Sequence, residues 1–462
     1  MTGWTLQEVL EATAAQSTSF AISTEQMFDS VSTDTRTLSP GGLFVPLVGA
    51  QHDGHDHVLA ALQQGARACL WSRPGELPEL LRQAPLLRVH DTLQALQELG
   101  RYHLRRVGCK VVAITGSTGK TTTKDLVASL LQTRYRVHKT PGNFNNEVGV
   151  PLTLLQLSGD TQVAVLELAM RGEHQIAPLT RLTEPQVGVI TNIGVSHIEL
   201  LGSRQAIARA KGELFEQMAS TSLSVVPRDS DFFDYLWGVC QGPRLSFSGD
   251  PSSPAEVRPR SRQQRGLEGW RLDFEGVLWE FPLPGEHHVE DLAAAWAVAR
   301  HLGVTSEEAA QAARQVKLSH LRMERQDLGN GLCLLNDAYN AAPDSMRSAL
   351  KVLAYAPGRK VAVLGDMLEL GDYEEQAHRE LGEWAAQLQV DFLLAVGPRS
   401  QRAAATAERA GLRSVLWAAD VEQAAKLLIP HLQRGDTLLL KASRGVGLDR
   451  LVNSLESWQS DT

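Results

Sequence analysis

The segment Gly116-Ser117-Thr118-Gly119-Lys120-Thr121-Thr122 carries residue types suited to holding phosphate. Glycines let the backbone turn so tightly that several N–H groups face one anion, and a following helix N-terminus adds partial positive charge. Lys120 can reach the outer phosphates of a nucleoside triphosphate, and the Thr121 hydroxyl can hold Mg2+. The match to the pattern G-x-x-x-x-G-K-[ST] is incomplete, because its first glycine would fall on Ile114. A glycine turn that binds nothing is the bland alternative. Gly-Lys-Thr-Thr in this setting favours nucleotide binding by a wide margin.

Other polar clusters follow apolar runs. Glu167 follows Val163–Leu166, and Thr191 to Glu199 follows Val187–Ile190. A carboxylate beside a phosphate loop is what a nucleotide-bound Mg2+ needs. His197 reads equally well as a metal ligand or as a core histidine. Lys211, in the helical stretch Ile207–Phe215, reads as a solvated surface lysine. The stretch Gly142 to Pro151, with Asn143, Asn145 and Asn146, is either a loop rich in amide donors or a plain turn. Earlier in the chain, Ser32-Thr33-Asp34-Thr35-Arg36 suits hydrogen bonding to a polar ligand or phosphate, although such clusters also make turns. His52, His55 and His57 with Asp53 and Asp56 suggest a metal at first sight, but the spacing fits no zinc pattern and Gly54 interrupts it. A solvated loop near a ligand is the favoured reading.

The elements that must position these residues are legible from periodicity. Val111–Ile114 reads as a buried parallel strand, and Asp125–Leu131 as a helix packed on a sheet. Thr5–Ala15 and Val58–Gly65 read as helices, and Leu43–Leu47 as a strand. Asp250–Arg265 is a loop or edge region, and Trp270–Phe281 alternates as antiparallel strands. Glu290–His301 is an Ala-rich helix, with Asp291 as a candidate N-cap. Cys333–Leu335, Val361–Leu364, Phe392–Val396, Val415–Trp417 and Thr437–Leu440 are strand candidates separated by helices. This alternation predicts an α/β chain with a doubly wound, mostly parallel central sheet and ligands at the strand C-terminal ends. Three domains are expected, at residues 1–107, 108–313 and 314–462. The first is a small α/β domain and the last a smaller α/β domain.

Composition narrows the class. The chain has 462 residues, 43% hydrophobic and 21% charged, which suits a well-cored globular protein. A net charge of −8 argues against a nucleic-acid-binding face. The first basic residue is Arg36, and no apolar run approaches the ~18 residues that cross a bilayer. A cytoplasmic protein with neither signal peptide nor membrane span is expected. Cys69, Cys109, Cys240 and Cys333 form no CxxC and are expected as buried small hydrophobes in a reducing compartment.

Taken in order, TGSTGKTTTK, NFNNEVGVPLT, ELAM, NIGVSHIELLGS, ARAKGE and DAYNAAPDSM resemble the Mur ligase family, the ATP-dependent amide-bond-forming enzymes of bacterial peptidoglycan synthesis. The resemblance covers almost the whole chain. DAYNAAPDSM, LGDMLELG, KASRGVG, STDTR and the DGHDH loop look like the branch that joins D-alanyl-D-alanine to UDP-N-acetylmuramoyl-tripeptide. The family fold implies an N-terminal domain that holds the UDP-sugar, a central ATP-binding domain, and a C-terminal Rossmann-like domain that closes on the nucleotide.

The resemblance also implies roles. Lys120 contacts the β/γ-phosphates, Thr121 and Glu167 bind a first Mg2+, and His197 binds a second. Lys211 aligns with a lysine that is carbamylated, and a carbamate is an anion able to hold Mg2+. ATP is held by Thr115, Gly116, Ser117, Thr118, Gly119, Lys120, Thr121 and Thr122, and further on by His288, Asp291, Arg322, Asp337 and Tyr339. Ser32, Asp34, Thr35, Arg36 and Gly49 line the UDP-sugar site, and Asn145, Asn146, Asn340, Ser443 and Arg444 serve substrate.

Five positions depart from the family pattern. HNxxN appears as His287-His288-Val289-Glu290-Asp291, so both asparagine positions differ. The usual glycine before the hinge Arg322 is Leu321, and Ala342 and Ala442 replace an asparagine and a glycine. None removes a phosphate or metal ligand, so activity is expected. The implied needs are ATP, Mg2+ and the two substrates, without nucleic acid; a monomer is expected. The rivals are the ligase that adds the third residue, folylpolyglutamate synthase, and a non-catalytic P-loop switch. Ser-x-Asp-Thr-Arg opposes a folate enzyme. No Asn-Lys-x-Asp guanine signature supports a switch.

Overall fold

The computed structural model describes residues 3–17, 26–49, 51–329 and 331–460. The chain forms two compact units. One comprises Met1–Ala113, Tyr135–Leu168 and Pro178–Pro185; the other comprises Ile114–Arg134, Ala169–Ala177 and Gln186–Thr462. The fold class is the expected α/β, with mostly parallel sheets.

In the first unit a five-stranded sheet runs in the order Gln16–Ser17, Leu86–Arg88, Ala68–Trp71, Leu43–Phe44, Val31–Ser32. All pairs are parallel except the one made by Gln16–Ser17. Ala68–Trp71 is buried along its whole length, as a strand covered on both faces must be. The helix Leu6–Thr13 starts with a capping box between Thr5 and Glu8. Asp91 caps the helix Thr92–Val107, which ends at Gly108 with φ +68°. At Gly100 this helix passes so close to Pro151 that a Cβ would sit 3.0 Å from its Cα, so a larger residue would push the two segments apart by a few tenths of an ångström. Val137–Lys139 and Val163–Glu167 pair in parallel in the same unit.

In the second unit Val187–Ile190, Leu223–Pro227 and Arg244–Phe247 run parallel. Ser261–Gln264, Trp270–Phe274 and Val277–Phe281 form an antiparallel sheet, so the region 250–265 includes an edge strand. A six-stranded sheet follows, in the order Glu324–Asp327, Cys333–Asn336, Thr437–Lys441, Lys360–Gly365, Phe392–Val396, Val415–Ala418. It is parallel except for its first pair, and apolar clusters on both faces bury its strands.

Two expectations are corrected. The Ala-rich helix spans Glu286–His301 and starts at Gly285, so Asp291 lies inside it, buried, and caps nothing. The helix begins earlier because it is released by Gly285 right after Pro284, and the apolar run that resembles its start is its buried face. Of the cysteines, Cys69 alone is fully buried; Cys109, Cys240 and Cys333 are half-buried, and all four are free thiols. Among the described residues no helix is long and apolar enough to cross a membrane.

Candidate active site

The phosphate loop belongs to the second unit. It leaves the strand Lys110–Thr115 and enters the helix Lys120–Leu131, whose N-cap Gly119 has φ +77°. Side chains that sequence reasoning left without a role set its shape. The Asn192 side chain donates to Thr118 Oγ1 at 2.9 Å and accepts from the Thr118 N–H at 3.1 Å. Thr191 Oγ1 donates to the Thr118 carbonyl at 2.6 Å, and the Gly194 N–H donates to Ser117 Oγ at 2.9 Å. A Cβ at Gly116 would lie 1.8 Å from Thr191 Oγ1, so glycine is obligatory there. Thr191, Asn192 and Gly194 follow a predicted strand, and that placement was the available signal. Lys120 Nζ folds onto its own loop, donating to the Gly116 carbonyl at 2.8 Å.

Asp291 and Thr123 meet on the inner side of that helix. Thr123 Oγ1 donates to Asp291 Oδ1 at 3.0 Å, and a Cβ at Gly119 would lie 2.5 Å from the same oxygen. Burial pushes the Asp291 carboxyl well above the usual carboxylate range. His288 is also buried, its Nδ1 bonded to the Pro284 carbonyl. Asp125 accepts from both the N–H and the hydroxyl of Ser319, at 2.8 and 2.7 Å, which fastens the phosphate-loop helix to the segment leading to Arg322.

Arg322 reaches the loop: its Nη2 donates to Thr121 Oγ1 at 3.4 Å. Its guanidinium lies 4.2 Å from the Tyr339 ring centroid, and Arg444 lies 5.2 Å from the same ring. Arg322 Nε is buried and has no hydrogen-bond partner among the described residues. The residues on either side, Leu321 and Met323, have φ +61° and +47°, so the backbone here takes the conformation that glycine would allow. Asp337 accepts from the Met323 N–H at 3.2 Å and from Lys441 Nζ at 2.5 Å. Lys441 also donates to the Asn340 carbonyl. Ser443 is buried, its hydroxyl accepting from the Leu368 N–H at 3.0 Å.

Lys211 overturns the surface reading. It is 2% exposed, and among the described residues no carboxylate pairs with it. Burial, then the charge of Lys120, pushes its ammonium well below the usual lysine range. In the helix Arg204–Gln217 the residues from Ala206 to Phe215 are buried except for Arg209, which is exposed, so Lys211 lies on the covered side of the helix. His197 has φ +64°. Burial, with Lys120 and Lys211, lowers its imidazole to about 4. Half-buried Lys120 is thus near enough to act on both half-buried His197 and buried Lys211, and a group of three basic side chains suits a polyanion.

The first unit holds the remaining candidates. Glu167, 3% exposed, accepts from Asn145 Nδ2 at 2.8 Å, and its N–H donates to Thr140 Oγ1 at 3.0 Å. Asn146 Oδ1 accepts from the Gly149 N–H at 2.9 Å and so shapes the start of the helix Gly149–Leu155. Asp34 caps the turn Thr35–Thr37 and pairs with Arg36 at 2.7 Å, and Ser32 Oγ donates to the Asp34 carbonyl. The Arg36 side chain is exposed, open to a ligand. Gly49 is exposed at a turn, its N–H bonded to the His52 carbonyl. His55 is buried, held by Asp53 at 2.6 Å and accepting from the Ser72 N–H at 3.0 Å, which accounts for that histidine without a metal. Among the described residues no group of three His, Cys, Asp or Glu stands ready for a metal. Mg2+ needs no such cluster: it takes one or two protein oxygens and completes its shell with phosphates and water.

This is the architecture of a nucleotide-dependent α/β enzyme. Models of the Mur ligase middle domain, the Mur ligase glutamate ligase domain and the Mur ligase catalytic domain match residues 114–299, 321–444 and 28–103. The UDP-N-acetylmuramoyl-tripeptide–D-alanyl-D-alanine ligase of Bacillus subtilis is 37% identical over 92% of this chain and 92% of its own. The crystal structure of MurF from Acinetobacter baumannii superposes with a TM-score of 0.89 at 30% identity, covering 98% and 99% of the two chains. That of MurF ligase from Thermotoga maritima, in complex with ADP, gives 0.82 at 27% identity over 94% and 98%. The chain belongs to the Mur ligase family.

Proposed function

We propose that the chain is an ATP-dependent ligase that joins D-alanyl-D-alanine to the terminal carboxylate of UDP-N-acetylmuramoyl-tripeptide, releasing ADP and phosphate. The carboxylate oxygen attacks the γ-phosphorus and ADP leaves. The dipeptide amine attacks the resulting acyl phosphate, the tetrahedral intermediate collapses, and phosphate departs with the bridging oxygen while the amine loses a proton. Carboxylate oxygen is a poor leaving group and phosphate a good one, which is why the reaction consumes ATP. The domains are assigned to 1–107, 108–313 and 314–462, in line with the three matched segments.

The observation that carries this reading is the reach of Arg322, braced on Tyr339, to Thr121 in the phosphate loop. In this reading the guanidinium meets the charge carried by the transferring phosphate. Lys120 serves the same charge from the loop. Asp337, Tyr339 and Asp291 serve the nucleotide; Ser32, Asp34, Thr35 and Arg36 serve the UDP-sugar. Asn145, Asn146, Asn340 and Arg444 serve the acceptor end. Thr121, Glu167, His197 and Lys211 as its carbamate are the residues proposed to hold Mg2+; when bound, Mg2+ neutralises charge on the phosphates. A buried lysine facing no carboxylate fits a group that CO2 converts to an anion. The nucleotide substrates place the reaction in the cytoplasm, and we assign a monomer.

Phosphate release tests the reading. It is expected only when ATP, UDP-N-acetylmuramoyl-tripeptide and D-alanyl-D-alanine are all present. Equal release without the dipeptide, or with folate substrates, overturns it.

A further inference from the structure

Two non-glycine residues with left-handed backbone face each other in the second unit. His197 has φ +64° and Glu369 has φ +63°. Glu369 Oε2 lies 3.0 Å from His197 Nδ1, and Arg171 lies 3.9 Å from the other carboxylate oxygen. Left-handed backbone is costly for a side-chain-bearing residue and persists only where surrounding structure imposes it. Here it is imposed on a carboxylate whose side chain is 47% exposed, so burial of Glu369 is not the compensation.

The loop carrying Glu369 is pinned on every side. Asp366 accepts from the Ser400 N–H and hydroxyl at 2.7 and 2.8 Å. The Met367 N–H donates to His378 Nε2 at 3.1 Å, and the Leu368 N–H to Ser443 Oγ at 3.0 Å. At Gly371, φ +52°, a Cβ would sit 3.0 Å from the Glu199 side chain, so only glycine lets the loop come this close to the helix Ile198–Leu201. The result is one carboxylate from the loop after Lys360–Gly365, delivered to the one ring that follows Val187–Ile190. His197 Nδ1 is otherwise buried and makes no aligned hydrogen bond.

We propose that Glu369 is a positioning residue that holds the His197 imidazole with Nδ1 toward its carboxylate, leaving Nε2 as the working nitrogen. Carboxylates placed behind a working histidine fix both tautomer and ring orientation. This rests on the ligase reading only in that His197 acts there on the nucleotide and its cation. It also explains why LGDMLELG follows a strand of the C-terminal sheet: that sheet supplies the brace for a residue of the nucleotide-binding region.

The test compares full-length Glu369→Ala, Glu369→Gln and His197→Ala with the parent. Three quantities are read: Mn2+ binding to the enzyme–ADP complex by electron paramagnetic resonance, kcat and KM, and the melting temperature. In Glu369→Ala, Mn2+ affinity and kcat are each expected to fall at least tenfold, within the ~10–100-fold usual for such partners. KM for the UDP-substrate and the melting temperature are expected to stay at parent values. Glu369→Gln retains an acceptor oxygen and is expected to recover most of the loss. Parent-like Mn2+ affinity and kcat in Glu369→Ala overturn the proposal. So does a loss confined to melting temperature, which is the signature of a merely structural contact. If His197→Ala is inactive while Glu369→Ala is not, the positioning role falls and the ligase reading stands. If His197→Ala is itself fully active with parent Mn2+ binding, the assignment of His197 falls and takes the positioning role with it.

Discussion

The guanidinium of Arg322 stacks 4.2 Å from the centre of the Tyr339 ring while its Nη2 donates to Thr121 Oγ1. One side chain is therefore braced by an aromatic face and aimed at the phosphate loop. Lysine retains the charge but neither the stacking plane nor the forked donors. Arg322→Lys is expected to lower kcat/KM for ATP on the order of 100-fold, about 2.7 kcal/mol. Steady-state ATP titration measures it, and a change under threefold counts against the role.

Lys211 is buried, and the charge of Lys120 acts on it. Lys211→Ala is expected to abolish turnover, with partial recovery on adding short carboxylic acids that replace the carbamate. Lys211→Arg, which retains a positive charge and does not form a carbamate, is expected to be equally inactive. Full activity in either variant removes the carbamate role.

Lys441, 2% exposed, is bonded to Asp337 at 2.5 Å. Removing one partner of a buried pair strands the other charge, at about 3–5 kcal/mol. Asp337→Asn is expected to lose stability of that order in urea unfolding. The pairing with Lys441 is tested by the double change Asp337→Asn with Lys441→Met, which is expected to recover part of the loss. A double variant no more stable than Asp337→Asn argues that the pair is not what Asp337 supports.

Glu290, beside Asp291 on the same helix, is raised from 4.5 to about 7, first by burial and then by Asp229, against the bond from the Gly249 N–H. Between these values the folded chain retains a proton that the unfolded chain releases. Stability from this group therefore falls as pH rises through that window, by about 3 kcal/mol at most. Glu290→Gln removes the titration and retains an acceptor. Its stability relative to the parent is expected to increase from pH 5 to pH 8 in denaturant melts. A constant difference across that range contradicts the buried proton.

Much of this was legible from residue patterns, because strands buried on both faces read as continuous apolar runs. Val163–Glu167, Val187–Ile190 and Phe392–Val396 were found within a residue of their observed ends. Spacing alone reads Lys211 as a surface residue, because a lone lysine in a helical stretch usually points to water; only the resemblance points away from that reading. The neighbours Ala208, Ala210 and Gly212 are small, which in hindsight suits a close-packed face. Asp291 was misread because Asp before Leu-Ala-Ala-Ala imitates a cap. Pairs such as Asp125 with Ser319 and Asp337 with Lys441 lie 194 and 104 residues apart, and no local pattern records them. The left-handed backbone at Leu321 was foreshadowed only by the glycine expected there.

The most direct measurement follows oxygen. UDP-N-acetylmuramoyl-tripeptide labelled with 18O in its terminal carboxylate is incubated with ATP and D-alanyl-D-alanine, and the phosphate is analysed by mass spectrometry. Acyl-phosphate chemistry is expected to give one 18O in each phosphate released, alongside a product heavier by the dipeptide and dependent on it. Unlabelled phosphate, or labelled phosphate without the amide product, contradicts the reading of this chain as a ligase acting through an acyl phosphate.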